Sequence, residues 1–171
     1  MDNSMDNMLD MYLFETNSLL EQLDSILLNA EKSKVFTVDD VNEIFRIMHT
    51  IKGSSAMMEF SSLMKIAHKT EDLFFIIRDK GVETFDSVCS EEDHHELFNL
   101  VFDAIDFMRS EIEKIENDEP LTDNIDNELQ KIKDFIDKII VHLGGTTESD
   151  NSEETEKSDK DACKNLPDNS P

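Results

Sequence analysis

Two amphipathic stripes follow one another in this chain with only Glu59-Phe60-Ser61 between them. Val41, Ile44, Phe45, Met48, Ile51 and Met58 recur at helical spacing, and so do Leu63, Ile66, Ala67, Leu73, Phe74 and Ile77. Helices joined by so short a connection form an antiparallel hairpin. Residues equidistant from the turn then stand at the same height. With the turn at residue 60, His49 faces Glu71 and Lys52 faces His68. At about 100° per residue, His49 lies about 100° from the middle of its stripe, where core meets water. Lys52 follows one turn later on the same side, and Gly53 stands four residues after His49. A mid-helix Gly costs about 1 kcal/mol relative to Ala, so it has a local reason. An exposed imidazole, a nearby cation and the small residues Gly53-Ser54-Ser55-Ala56 suit a histidine that something bulky and anionic must reach.

The rest of the composition extends the helical reading to the whole chain. Leu, Ile, Phe and Met dominate the apolar set, while four Gly, three Pro and no Trp leave little from which to build a sheet. The predicted fold is all-α: an antiparallel up-down four-helix bundle with a fifth helix packed alongside. A net charge of −24 excludes nucleic acid and anionic membranes as natural partners, since both would be repelled. No apolar run approaches the roughly 18 residues of a membrane span. The start, Met1-Asp2-Asn3-Ser4, is acidic where a signal peptide is basic. Cys89 and Cys163 match no metal or redox spacing and suggest a reducing compartment. These points together predict a cytoplasmic protein with no membrane insertion.

In chain order, the first helix is predicted from about Asp6 to Glu31, burying Leu9, Leu13, Leu20, Leu23 and Leu27. Thr37-Val38-Asp39-Asp40 opens the His49 helix with a capping-box pattern in which Asp replaces the usual Glu or Gln. The His68 helix ends near Lys80, with Gly81 placed as a left-handed cap. Ser90-Glu91-Glu92-Asp93 starts a fourth helix, which Pro120 separates from a fifth over about Asp123 to Val141. From Gly144 to Pro171 eight acidic and three basic residues stand among Ser, Asn and Thr with almost nothing apolar, so this stretch is predicted disordered. The predicted division is a folded domain over 1–143 and an acidic tail or linker over 144–171.

Other candidates carry less. His94-His95-Glu96 has two ligating types, but adjacent histidines point to different faces of a helix, so no metal site is predicted. His142, near a helix end, is expected to interact favourably with the C-terminal carbonyls. Met64 and Phe75 fall on the flank of His68 and Glu71. Core packing is the expected role of both, a docking rim the alternative.

His49-Thr50-Ile51-Lys52-Gly53-Ser54 followed by His68-Lys69-Thr70-Glu71-Asp72-Leu73 resembles the histidine phosphotransfer (HPt) domain. Within that family it is similar to the phosphotransfer domains of chemotaxis histidine kinases of the CheA type, from about Met8 to about His142. One departure is Glu59, where the family more often has a small residue. The resemblance implies that His49 is the phosphoacceptor, taking a phosphoryl group on Nε2 from ATP and passing it to a response-regulator aspartate. It implies that Glu71 holds the tautomer of His49, that Lys52 and His68 steady the phosphoryl group, and that Gly53 leaves steric access. ATP and Mg²⁺ are expected to come from the partners: a histidine kinase catalytic domain and a CheY-like or CheB-like receiver domain. The sequence contains no glycine-rich phosphate loop and no acidic metal cage, so no cofactor is expected on this chain and no autophosphorylation by it alone. The competing expectations are a helical adaptor without phosphate chemistry, a free-standing phosphorelay protein and, more distantly, a metal hydrolase built on His49, His68 and Glu71.

Overall fold

A computed structural model describes residues 3–144, and over these the chain is helical with no strand. Helix α1 spans Asn3–Ser33, α2 Val38–Met57, α3 Ser61–Lys80, α4 Val82–Val88, α5 Glu91–Glu116 and α6 Asp126–His142. The expected disordered tail lies, beyond Gly144, outside the described residues.

Helices α1, α2, α3 and α5 close a four-membered ring, and α6 packs outside it against α3 and α5. Polar contacts at the seams fix the directions. Arg109 pairs with Asp24 and Asn17 with Glu116, so α5 runs antiparallel to α1. Tyr12 bonds Ser55 at 2.8 Å at the far end of the α1–α2 seam. The core between the helices is built from the stripes read in the sequence, with Leu20, Leu23, Leu27, Ile44, Met48, Ile51, Leu63, Ile66, Phe74 and Met108 almost fully buried. Burying one such side chain stabilises by about 1.5–3 kcal/mol, which is why the stripe pattern outweighs individual propensities.

Helix starts follow local chemistry. Thr37 Oγ1 accepts from the Asp40 amide at 3.1 Å while Asp40 Oδ2 accepts from the Thr37 amide at 2.9 Å, and Ser90 with Asp93 repeats this at α5. The shorter Asp side chain therefore completes the capping box in both places.

Three details differ from the sequence reading. Helix α4 is a sixth helix, seven residues long, anchored by buried Val82 and Phe85. Its Thr, Asp, Ser and Val are indifferent helix formers, and packing decides its state. Gly81 has a positive φ of 95° but a ψ of 134°, an extended glycine-only conformation that turns the chain from α3 into α4 in place of a left-handed cap. Helix α6 begins at Asp126, three residues late, because the 117–125 connection is tied down by a buried carboxylate. Glu111 accepts from Ser62 Oγ at 2.5 Å, Lys114 Nζ at 2.7 Å, and Thr122 Oγ1 and N at 2.6 and 3.0 Å.

Candidate functional site

The α2–α3 hairpin sets the site. His49 sits on the exposed shoulder of α2, its side chain 63% accessible, and its Nδ1 lies 3.2 Å from Glu71 Oε1 across the seam. Glu71 is nearly buried at 11%. The register expected from the turn at residue 60 thus brings these two together. Nδ1 engages the carboxylate, so a neutral imidazole donates there and leaves the Nε2 lone pair free.

Lys52 is placed differently from the sequence reading. Its Nζ lies 3.1 Å from Glu71 Oε1, a hydrogen bond, and 2.9 Å from Oε2, which it holds by charge with no hydrogen bond of its own. The register fixes the height of Lys52, but its four-carbon stem lets the ammonium reach the buried carboxylate. Burial pushes the Glu71 carboxyl up, but the hydrogen bonds and charges of Lys52 and His49 outweigh it and hold the group below its ordinary value. Oε1 therefore serves two donors, and at 3.2 Å the His49 contact is longer than the roughly 2.7–2.9 Å of an undivided charged bond.

His68 is not drawn into this cluster. It is exposed and faces Asp72, its Nε2 3.6 Å from Oδ1 on its own helix. Gly53 is exposed, and a Cβ built there would meet no atom within 4 Å. Nothing among the described residues demands glycine at that position.

The sequence reading missed a platform beside His49. The Arg78 guanidinium stacks 3.9 Å over the Phe45 ring, and Phe45 stands 6.3 Å from both the His49 and the Phe75 rings. Phe75 is half exposed, which corrects its expected place in the core, and Met64 is only partly buried. Arg78 lies two turns beyond Glu71 on one face of α3, and that spacing was the signal available in the sequence.

The remaining candidates have structural employment. His94 uses both ring nitrogens, Nδ1 on the Ser90 carbonyl at 2.8 Å and Nε2 on Asp86 at 2.9 Å. Burial, and then the Asp93 charge, push the Cys89 thiol up to about 11, so at neutral pH it is no nucleophile. No helix among the described residues is long and apolar enough to cross a membrane.

An exposed histidine is thus braced through Nδ1 by a carboxylate across a helical hairpin. The chain matches the Hpt domain across residues 7–135 and belongs to that family. It is similar to the chemotaxis protein CheA of Borreliella burgdorferi, 25% identical over 131 residues that make up 77% of this chain and 14% of that protein. Against CheA of Bacillus subtilis the identity is 29% over 111 residues, 65% of this chain and 15% of the relative. The sensor histidine kinase CheAY of Helicobacter pylori is 39% identical over 62 residues, 36% of this chain and 8% of the relative. The chain spans less than a fifth of the length of these relatives. No solved structure matches it.

Proposed function

We propose that this chain is a histidine phosphotransfer module of two-component, CheA-type signalling, with His49 as the phosphoacceptor. The observation that carries the reading is the pairing of His49 Nδ1 with a nearly buried carboxylate while the rest of the ring stands in solvent. The Nε2 lone pair attacks the γ-phosphorus of ATP held by a histidine kinase domain, the bond from phosphorus to the β–γ bridging oxygen breaks, and ADP leaves. The Nδ1 proton stays in its bond to Glu71, whose charge compensates the positive character that the ring acquires. In the second step a receiver-domain aspartate attacks the phosphorus, the N–P bond breaks and neutral His49 returns.

Transfers of this kind depend on position and on charge facing the equatorial oxygens. Lys52 stands one turn from His49 and supplies that charge at the edge of the same carboxylate. Exposed His68 adds a donor from α3. Gly53 is a helix position at which glycine costs about 1 kcal/mol and the fold asks for none, which suits clearance for the incoming phosphoryl group and its carrier. Phe45, Phe75 and Arg78 give the approaching partner a flat surface beside the ring. Mg²⁺ and ATP come with the partners, one a histidine kinase domain and the other a CheY-like or CheB-like receiver.

The test is incubation with a CheA kinase core and γ-labelled ATP. The expected result is label that is acid-labile and alkali-stable on the native chain and absent from His49→Gln, with unchanged helical circular dichroism. Label persisting on His49→Gln would move the acceptor elsewhere, and a native chain that takes no label would favour the adaptor reading.

A further inference from the structure

Away from His49, three side chains of metal-ligating type converge from three elements. Cys89 caps the end of α4, Asp93 lies in the first turn of α5 and His142 ends α6. Their ligand atoms all lie within 4.8 Å of one another, Cys89 and Asp93 buried and His142 open to solvent. His142 Nδ1 stands 3.6 Å from Asp93 Oδ2, too far for a hydrogen bond. It is close to the separation of two ligands on one tetrahedral ion, where bonds of about 2.0–2.2 Å place N and O about 3.3–3.5 Å apart.

We propose that Cys89 Sγ, Asp93 Oδ2 and His142 Nδ1 form a Zn²⁺ site, with the fourth position held by water on the open His142 side. The donor set selects the metal. One thiolate, one imidazole and one carboxylate suit zinc, whereas magnesium and calcium take oxygen ligands alone. Asp93 can serve without leaving its other partners. Oδ2 accepts from the Ser90 amide and keeps a second lone pair, while Oδ1 holds Lys138 Nζ at 3.0 Å. Lys138 also bonds Glu96. Zn²⁺ displaces the Cys89 proton to water, and the thiolate so formed, with Asp93 and Glu96 against Lys138, leaves two negative charges, which the one divalent ion neutralises. The ion would pin the end of α6 to the α4–α5 corner. The inference does not rest on phosphotransfer by His49, and its test reads neither.

The test uses the full chain with Co²⁺ as the spectroscopic probe, followed by displacement with Zn²⁺. One equivalent of Co²⁺ should give a thiolate-to-cobalt charge-transfer band in the near ultraviolet and tetrahedral absorption in the visible, both removed by Zn²⁺. Cys89→Ser should abolish the charge-transfer band. His142→Gln, at an exposed helix end where folding is not at stake, should weaken Co²⁺ binding by ~10-fold or more. Cys163→Ser should change neither. No charge-transfer band at one equivalent would overturn the proposal. A band that follows Cys163 in place of Cys89, or equal affinity in His142→Gln, would also overturn it.

Discussion

Replacing Lys52 with Met keeps most of the stem and removes the ammonium from both oxygens of Glu71. The pair is neither exposed nor sealed, with side chains 26% and 11% accessible. Exposed pairs contribute up to about 1 kcal/mol, and breaking a fully buried one costs about 3–5 kcal/mol. A loss of ~2 kcal/mol is expected here, lowering Tm by roughly 5–10 °C. The loss has a defined pH course. Glu71 is held below its ordinary carboxyl value of 4.5 in the folded chain, so its contribution is fully present above 4.5 and disappears as pH falls through the folded value. The gap between native and Lys52→Met melting should therefore narrow in acid. At His49 the effect reverses. Oε1 no longer divides its charge between two donors, so the Nδ1 bond should shorten from 3.2 Å and the Nδ1–H tautomer gain population. Phosphoryl acceptance should nonetheless slow by ~10- to 1,000-fold, because the cation proposed to face the phosphoryl oxygens has gone. Nitrogen-15 NMR of the imidazole beside single-turnover acceptance reads the two effects separately. A tautomer preference that weakens in Lys52→Met, or a stability gap that stays constant from neutral pH into acid, would refute this account of Lys52.

Gly53→Ala should stabilise α2 by about 1 kcal/mol in chemical denaturation, since its Cβ meets open space, while slowing acceptance at His49; faster or equal transfer would dismiss the clearance role. Glu59 has φ 61°, a left-handed conformation costing a side chain about 1–2 kcal/mol, and its negative charge follows the C-terminal end of α2. Glu59→Gly should therefore gain about 0.5–1 kcal/mol net of its extra unfolded-chain freedom, and Glu59→Gln less; calorimetry showing the reverse order would mean that charge, not backbone, dominates. For Glu111, burial raises the carboxyl but four bonds from Lys114, Ser62 and Thr122 outweigh it and hold it low, so its stabilisation is present above pH 4.5 and fades below. Glu111→Gln should lose about 2–4 kcal/mol at neutral pH and approach the native chain in acid, as urea titrations at several pH values can check.

How far the sequence reached depended on what kind of interaction set each feature. Stripe and turn length determine which residues stand level across a hairpin, and the His49–Glu71 pairing follows from those two quantities alone. The two capping boxes are equally local, each contained in four residues. Lys52 escaped because register constrains a backbone and not the end of a flexible side chain, and a buried carboxylate attracts that end more than an exposed imidazole does. Helix α4 has too few residues to show a period, and its anchorage is the burial of Val82 and Phe85 against the rest of the fold. Phe75 stands on the flank that carries His68 and Glu71, where an aromatic ring suits either core or rim, and only the packing of the neighbouring helices decides that half of it faces water. Cys89, Asp93 and His142 come from three elements whose meeting depends on how α6 lies against α5, which no spacing within one segment encodes.

The hairpin also bears on how the working parts come together in time. His49 and Glu71 are separated by 22 positions, and the connection between their helices is three residues long. The length-dependent part of closing a 22-residue loop is about 2.7 kcal/mol of chain entropy, and contacts this near in sequence form early and re-form quickly after local opening. The ring is completed from much farther away, as Asp24 with Arg109 across 85 positions illustrates. His49 and Glu71 therefore belong to the fast-forming part of the molecule, while α1 and α5 supply the slower enclosure that keeps the two helices from parting. Fraying at the outer elements would reach the bundle's walls well before it disturbed the imidazole.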